Sequence, residues 1–378
     1  MSIEAEYIDS FEDMSLPDNI LRGIYSCGYM EPTEIQQLII KPIVTHSDDF
    51  FAQAQSGTGK TVAFTSSVLA KLNPKSPTLQ AIFISPTQEL ADQTYSVIQA
   101  IASFSNINVH LFSGNKFTFT KDLQVAVVTL GGLKRLTQTQ NITFNNLKAV
   151  VFDEADTFFL DESNESKTLK LFENLPKTQN IMFSATLSDE TKDKCCSFMR
   201  NPQLLLLPKR DVRVKAISEY YIKTRPEYTV EYVLDIMANV AFSQAFVFCN
   251  NPELAEKIHS TLSKNRFQTV LVHRKSKKAA TSEALADFKK GKYRVLVGSD
   301  VLARGLDMQS TSLVINVDMP KHPETYIHRV GRAGRAGRKA TAISLITNDA
   351  AVMMVNNLQS NYGCSFTELK SLTEINQD

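Results

Sequence analysis

No uninterrupted apolar stretch in this sequence approaches the roughly 20 residues that a membrane-spanning helix needs. The first ten residues are polar and acidic, unlike a secretory leader. Cysteine is scarce. Cys27, Cys195, Cys196, Cys249 and Cys364 are odd in number and form no CxxC pair. Such thiols act as small apolar residues in a reducing compartment, so a cytoplasmic protein is expected. The six histidines are scattered, which argues against a structural metal site. No low-complexity tract or short repeat interrupts the chain. A large net charge is lacking too, at +1, but that figure conceals an asymmetry. Residues 1–200 hold 16 Lys and Arg against 23 Asp and Glu, whereas residues 201–378 hold 25 against 17. The C-terminal half is therefore the better candidate for a polyanion surface, although solvated surface charge gives similar numbers.

What remains is a soluble globular composition, 43% hydrophobic and 21% charged, in 378 residues, a length that suits two domains. The most informative stretch is Ala54-Gln55-Ser56-Gly57-Thr58-Gly59-Lys60-Thr61. It follows the apolar run Phe50-Phe51-Ala52 and precedes a helical pattern. A strand, a glycine loop and a helix start make the context of a phosphate-binding loop. Its N–H groups and the helix dipole would face an anion, with Ala54 where the pattern usually has glycine. Lys60 would reach the β- and γ-phosphates of a nucleotide, and the Thr61 hydroxyl would sit on Mg²⁺.

Apolar positions at helical spacing predict a helix from Phe11 to Tyr29. A second helix is expected after Thr33, where Gln36 three residues later completes a capping box. Short apolar runs then alternate with helical segments. Strands are expected at 81–85, 125–129, 149–152, 180–184 and 204–207, then at 218–222, 245–248, 270–272, 295–297, 313–317 and 341–346. Runs of this kind predict an α/β fold with parallel sheets covered on both faces. The polar, basic stretch containing Pro208 gives a linker at 208–216, between domains at 1–207 and 217–378.

Asp153-Glu154-Ala155-Asp156 follows the strand candidate ending at Phe152, which places acids at a strand's C-terminal end. Asp153 would hold Mg²⁺, and Glu154 would orient and deprotonate the attacking water. Taken by itself, an acid there is more readily explained as the N-cap of the next helix. Its pairing with Lys60 favours catalysis.

Asp153-Glu154-Ala155-Asp156 also spells the signature of the DEAD-box RNA helicases, which the rest of the chain resembles in order. Phe11, Gly28-Tyr29, Pro32-Thr33 and Ile35-Gln36 resemble the family's adenine-recognising Q motif. Pro86-Thr87-Gln88-Glu89-Leu90, Ser184-Ala185-Thr186 and Phe246-Val247-Phe248-Cys249-Asn250 resemble motifs Ia, III and IV. Ala303-Arg304-Gly305-Leu306-Asp307 and His328-Arg329-Val330-Gly331-Arg332-Ala333-Gly334-Arg335 resemble motifs V and VI. The resemblance implies two tandem RecA-like domains, each a mainly parallel sheet flanked by helices. It implies ATP with Mg²⁺, held by Phe11, Gln36, Ser56, Gly57, Thr58, Gly59, Lys60, Thr61, Gly305 and Asp307. Lys60, Asp153, Glu154, Arg332 and Arg335 would be catalytic, and Ser184, Thr186 and His328 would couple the nucleotide site to RNA. RNA contacts would fall to Pro86, Thr87, Gly114, Thr129, Gly131, Asn250, Arg274 and Ser299. Substrates would be single-stranded RNA and short duplexes, and a translation-initiation scaffold protein would partner a monomeric enzyme.

Each role has a physical reason. The Gln36 amide can donate and accept at an adenine edge, and Phe11 could stack on the base. Arg332 and Arg335 are three apart, so on a helix they would share a face and converge on one phosphate group. Ser184 and Thr186 have no evident proton-transfer role and could merely end a strand. His328 reads more readily as a satisfied interdomain histidine than as a base.

The RNA-contacting stretches depart from the family. The motif Ia arginine is Gln88, Thr-Pro-Gly-Arg becomes Thr129-Leu130-Gly131-Gly132, and the paired glycines become Ser113-Gly114. Arg274 follows His273 where the family has glycine, and Lys278 and Thr281 replace its Gln and Arg. Fewer charged contacts should weaken RNA binding and flatten its salt dependence. The basic run from Arg274 to Lys278 could restore part of that charge or simply be a solvated loop.

Overall fold

Ala81-Ile82-Phe83-Ile84 and Val125-Ala126-Val127-Val128 are apolar and buried at every position, so neither face of either strand can be left in water. The computed structural model describes residues 7–54, 57–114, 122–139, 142–159, 165–166, 168, 170, 175–184, 189–206, 217–272, 278–300, 311–333 and 339–377. It divides into two compact units, Met1–Pro208 and Lys209–Asp378. The expected linker at 208–216 lies outside the described residues. Among the described residues no helix is long and apolar enough to cross a membrane.

The first unit holds a seven-stranded sheet in the order β3 (Val109–Phe112), β4 (Val125–Val128), β2 (Ala81–Ile84), β5 (Ala149–Phe152), β6 (Gln179–Ser184), β1 (Phe50–Gln53), β7 (Gln203–Leu206). The second repeats that order seven strands later: β10 (Thr269–Val272), β11 (Val295–Gly298), β9 (Gln244–Phe248), β12 (Thr311–Asn316), β13 (Ala340–Ile346), β8 (Ile217–Lys223), β14 (Phe366–Glu368). Every pairing is parallel. All strands expected from the sequence form, with ends shifted by a residue or two. Two more join at sheet edges, β3 and β14, where half-exposed or exposed residues break the continuous apolar signal.

The helix expected from Phe11 to Tyr29 is two pieces. Phe11–Met14 is a 3-10 turn, and α1 (Asp18–Ser26) begins afresh beyond it. Pro17 removes an N–H and disfavours a helical Leu16, and Ser15 takes a left-handed conformation with φ 60°. Helix α2 (Glu34–Thr45) starts at Thr33 with the expected capping box.

Three features fix the strand that leads to the glycine loop. Buried Asp49 accepts from Asn180 N and Arg200 N, both at 2.7 Å, which ties the start of β1 to the neighbouring chain segments. Half-buried Lys71 donates to the carbonyls of Ile43 and His46 and to Gln179 Oε1. Helix α3 (Lys60–Ala70) packs on the sheet through Phe64, whose ring centroid lies 5.8 Å from Phe83 and 5.3 Å from Phe183.

Candidate active site and RNA-facing edges

The C-terminal ends of parallel strands carry the chemistry in such sheets. Here the ends of β1, β5 and β6 bring Lys60, Asp153 and Ser184 together. Ala54 N donates to Ser184 O at 2.9 Å, so the start of the glycine loop is held against the end of β6. Gly57 and Gly59 have φ of +85° and +95°, values that cost a side-chain residue strain. Gly59 is the N-cap of α3, and its carbonyl accepts from Ala63 N at 3.1 Å and Gln36 Nε2 at 3.0 Å. A Cβ on Gly59 would lie 2.5 Å from that Nε2. Gln36 Oε1 accepts from Thr33 N at 2.9 Å, so the glutamine expected at the adenine edge is packed against the glycine loop. Its side chain is almost fully buried there. Phe11, expected to stack on a base, has its ring 1% exposed and set edge-on to Tyr25 at 6.2 Å.

Asp153 continues the β5 pairing through its N–H to Ile84 O at 3.1 Å. Its carboxylate is buried, and Oδ1 accepts from Glu154 N at 3.0 Å. Burial pushes this carboxyl up to about 6, with the Lys60 charge partly offsetting the rise. Glu154 is buried and sits at φ 53°, in the left-handed region that strains a residue with a side chain. Asp156 ends the quartet, fully buried, and Ser184 Oγ donates to its Oδ1 at 2.8 Å. One chain of contacts thus runs from the glycine loop through Ser184 to the acidic quartet.

Three expected RNA stretches lie at the ends of adjacent strands β2, β3 and β4. Thr87 caps α4 (Gln88–Ala102) and accepts from Leu90 N at 3.2 Å, just after half-buried Pro86. Thr129 caps α5 (Leu130–Thr137) and accepts from Gly132 N at 3.3 Å. Gly114 has φ 57°, and Gly131 is exposed in open space. In the second unit Asn250 and Ser299 follow β9 and β11, positions equivalent to Pro86 and Thr129 by strand order and hydrogen bonding. Among the described residues, Ser299 Oγ is buried without a hydrogen-bond partner.

Sequence reasoning gave no role to Arg329, the most buried charge among the described residues of the second unit. Arg329, on α10 (Pro323–Val330), is fully buried and donates to Asp300 Oδ1 at 2.5 Å, Asp318 O at 2.6 Å and Asn316 Oδ1 at 3.2 Å. Its guanidinium also lies 5.2 Å from the centroid of the Phe248 ring. Asn250 joins the network, donating from Nδ2 to Asp300 Oδ2 at 2.6 Å and from N to Asp318 Oδ2 at 2.7 Å. The signal that singled out Asp153 was available here: acids just beyond two apolar runs.

Arg332 departs from the helical argument made for it. Helix α10 ends at Val330, and Arg332 lies in the following turn, 1% exposed, donating from Nε to His328 O at 3.1 Å. His328 is itself buried. Ser56, Thr186, Arg274, Gly305, Asp307 and Arg335 lie outside the described residues.

Comparison with known proteins agrees with this arrangement. Residues 33–194 match the family model of the DEAD/DEAH box helicases, and residues 228–337 match the helicase conserved C-terminal domain. The chain is 36% identical over 373 residues to an ATP-dependent RNA helicase eIF4A of Neosartorya fischeri, covering 96% of this chain and 93% of that one. It is 36% identical over 380 residues to the eIF4A of Neurospora crassa, covering 97% and 94%. A structure of S. cerevisiae Dbp5 bound to RNA and ADP BeF3 matches at TM-score 0.89 and 29% identity, covering 97% of this chain and 98% of that one. Mss116p bound to ssRNA and AMP-PNP shares the fold, at TM-score 0.83, 22% identity and coverage of 97% and 80%. Both units are thus RecA-like, and the chain belongs to the DEAD-box family of ATP-dependent RNA helicases.

Proposed function

We propose that this protein uses ATP bound at its first unit to pry apart short RNA duplexes in cytoplasmic translation initiation, as a monomer docked on a scaffold protein. The observation that supports this most directly is the joint placement of Lys60, Asp153, Glu154 and Ser184 at the ends of three neighbouring strands of one sheet. Lys60 and the N-terminus of α3 bind the phosphates, and Glu154 takes a proton from the attacking water. Gln36 reads the adenine edge. Arg332 and Arg335, carried by residues 217–378, act as arginine fingers, which contribute roughly 10³–10⁵-fold in nucleotide hydrolysis. Gly305 and Asp307 complete the nucleotide contacts, and Thr186 and His328 work with Ser184 in coupling. ATP and RNA favour the same state of the chain, so each strengthens binding of the other.

The residues fit a magnesium ion. Asp153 offers a buried carboxylate beside the glycine loop and Thr61 a hydroxyl, the oxygen donors that Mg²⁺ takes together with substrate phosphates and water. When bound, the ion would neutralise charge on the β- and γ-phosphates. On the RNA side, Pro86, Thr87, Gly114, Thr129, Gly131, Asn250, Arg274 and Ser299 hold backbone rather than bases, so sequence preference is slight.

The test is ATP hydrolysis with and without single-stranded RNA over a range of salt. RNA stimulation that disappears in Lys60→Ala and Glu154→Gln is the expected outcome, and hydrolysis unaffected by either change would refute the reading. The uncharged Gln88 and Gly132 favour a second reading, an ATP-gated RNA clamp with little strand separation. Single-turnover unwinding decides between them, because a clamp binds RNA with ATP yet leaves a short duplex paired.

A further inference from the structure

The family's arginine position at 132 is a glycine here, and the structure shows why an arginine could not sit there unaided. A Cβ on Gly132 would lie 1.9 Å from the carbonyl oxygen of Phe112, a backbone atom at the end of β3 that cannot swing aside. Helix α5 therefore rests directly on the last residue of β3. One turn further along the same helix face, Arg135 is half-buried, and its Nη2 donates to Gly114 O at 2.6 Å. Gly114 is gripped from the other side as well. A Cβ there would lie 2.5 Å from Gln88 Nε2, so the glutamine that replaces the motif Ia arginine packs against it. Ser113 Oγ reaches Asp92 Oδ1 of α4 at 3.5 Å.

We propose that Arg135 is the positioning residue for RNA in the first unit. By holding the Gly114 carbonyl, it fixes the turn after β3 between the N-termini of α4 and α5, so that their backbone N–H groups line up for successive phosphates. In this chain position 132 is glycine, and the arginine one turn further on holds a backbone carbonyl. Arg135 donates to a backbone carbonyl, and Gln88 adds no charge. Phosphate binding here then rests on helix N-termini and cap hydroxyls. This inference rests on the RNA reading given above.

The experiment measures the concentration of a single-stranded oligouridylate that half-saturates ATP hydrolysis, across a range of salt. The variants are Arg135→Gln and Arg135→Lys in the full chain. Losing one charge-assisted hydrogen bond raises that concentration about tenfold in Arg135→Gln, with KM for ATP unchanged. Arg135→Lys, which keeps a donor, recovers part of the loss. The slope of log affinity against log salt stays at the wild-type value, because a positioning arginine releases no counterion. A slope reduced by about 0.7 would mean that Arg135 meets a phosphate directly, and would overturn the positioning role. So would a half-saturating concentration in Arg135→Gln equal to that of the wild type. A wild-type chain whose hydrolysis ignores RNA would overturn the functional reading and this inference together. A responsive wild type with an equally responsive Arg135→Gln overturns the inference alone.

Discussion

The two units place the same strands in the same order and put opposite chemistry at their ends. The hydrogen bonds Asp153 N to Ile84 O and Val317 N to Phe248 O make Glu154 and Asp318 equivalent positions. In the first unit the preceding pair across the sheet is Phe152 and Met182, both apolar. In the second it is Asn316 and Ser344, whose side chains bond to each other at 3.1 Å while Asn316 also accepts from Arg329. A buried guanidinium needs polar partners, and the second sheet supplies them where the first packs an aromatic ring against a methionine. The acids beyond β11 and β12 are engaged by Arg329, whereas the acid beyond β5 is the proposed base.

The comparison breaks most visibly at Glu154. Replacing it by Gln removes the proposed base while keeping shape, and should slow RNA-stimulated hydrolysis about 10³-fold at unchanged ATP affinity. The equivalent change in the second unit, Asp318→Asn, should leave the hydrolytic step within a few-fold. Next in size comes Arg329→Met. It leaves Asp300 and Asp318 facing each other without their cation, at a cost of about 3 kcal/mol. Chemical denaturation of the full chain reads this as a shift confined to the second unit's transition. Arg329→Lys should recover little, since a point charge cannot span Asp300, Asn316 and the Asp318 carbonyl together.

A smaller effect separates the two acids by pH. Burial holds Asp153 at about 6, above its ordinary 3.8, and Lys60 offsets this only in part. The folded chain therefore binds that proton more tightly than the unfolded chain. Its contribution to stability is present in full below 3.8 and is lost as the pH rises through about 6. Asp153→Asn should remove this segment of the stability curve, which amounts to on the order of 2–3 kcal/mol. Cation binding runs the other way and should weaken as the pH drops, because proton and cation compete for the Asp153 carboxylate.

Much of this was legible in the sequence because it depends on local pattern. Continuous apolar runs announced the interior strands, the glycine spacing announced the loop before α3, and Thr33 with Gln36 announced a helix start that the structure reproduces. Edge strands β3 and β14 were not legible, since a strand with one neighbour needs no continuous apolar run. The break at Ser15 and Pro17 was written in the sequence but was overridden by helical periodicity on either side. Arg329 shows a different limit. Its partners come from three separate strand ends, and only the sheet order reveals that these are adjacent. Arg135 is the same kind of case, since the carbonyl it holds lies 21 residues away along the chain.

The smallest change separates structure from coupling within the first unit. Ser184 makes two kinds of contact. Its backbone carbonyl accepts from Ala54 N, and its hydroxyl donates to Asp156. Ser184→Ala keeps the first and removes the second, which strips one donor from a fully buried carboxylate. The expected cost is about 1–2 kcal/mol, read as an earlier denaturation midpoint for the first unit. If the hydroxyl only satisfies Asp156, hydrolysis and unwinding decline together as the unit loosens. If Ser184 couples the acidic quartet to RNA, RNA-stimulated hydrolysis persists while single-turnover strand separation drops by a larger factor. Ser344 provides the control, because its hydroxyl accepts from Asn316 in the second sheet. Ser344→Ala should therefore soften the second unit by a similar amount and leave the ratio of unwinding to hydrolysis where it was.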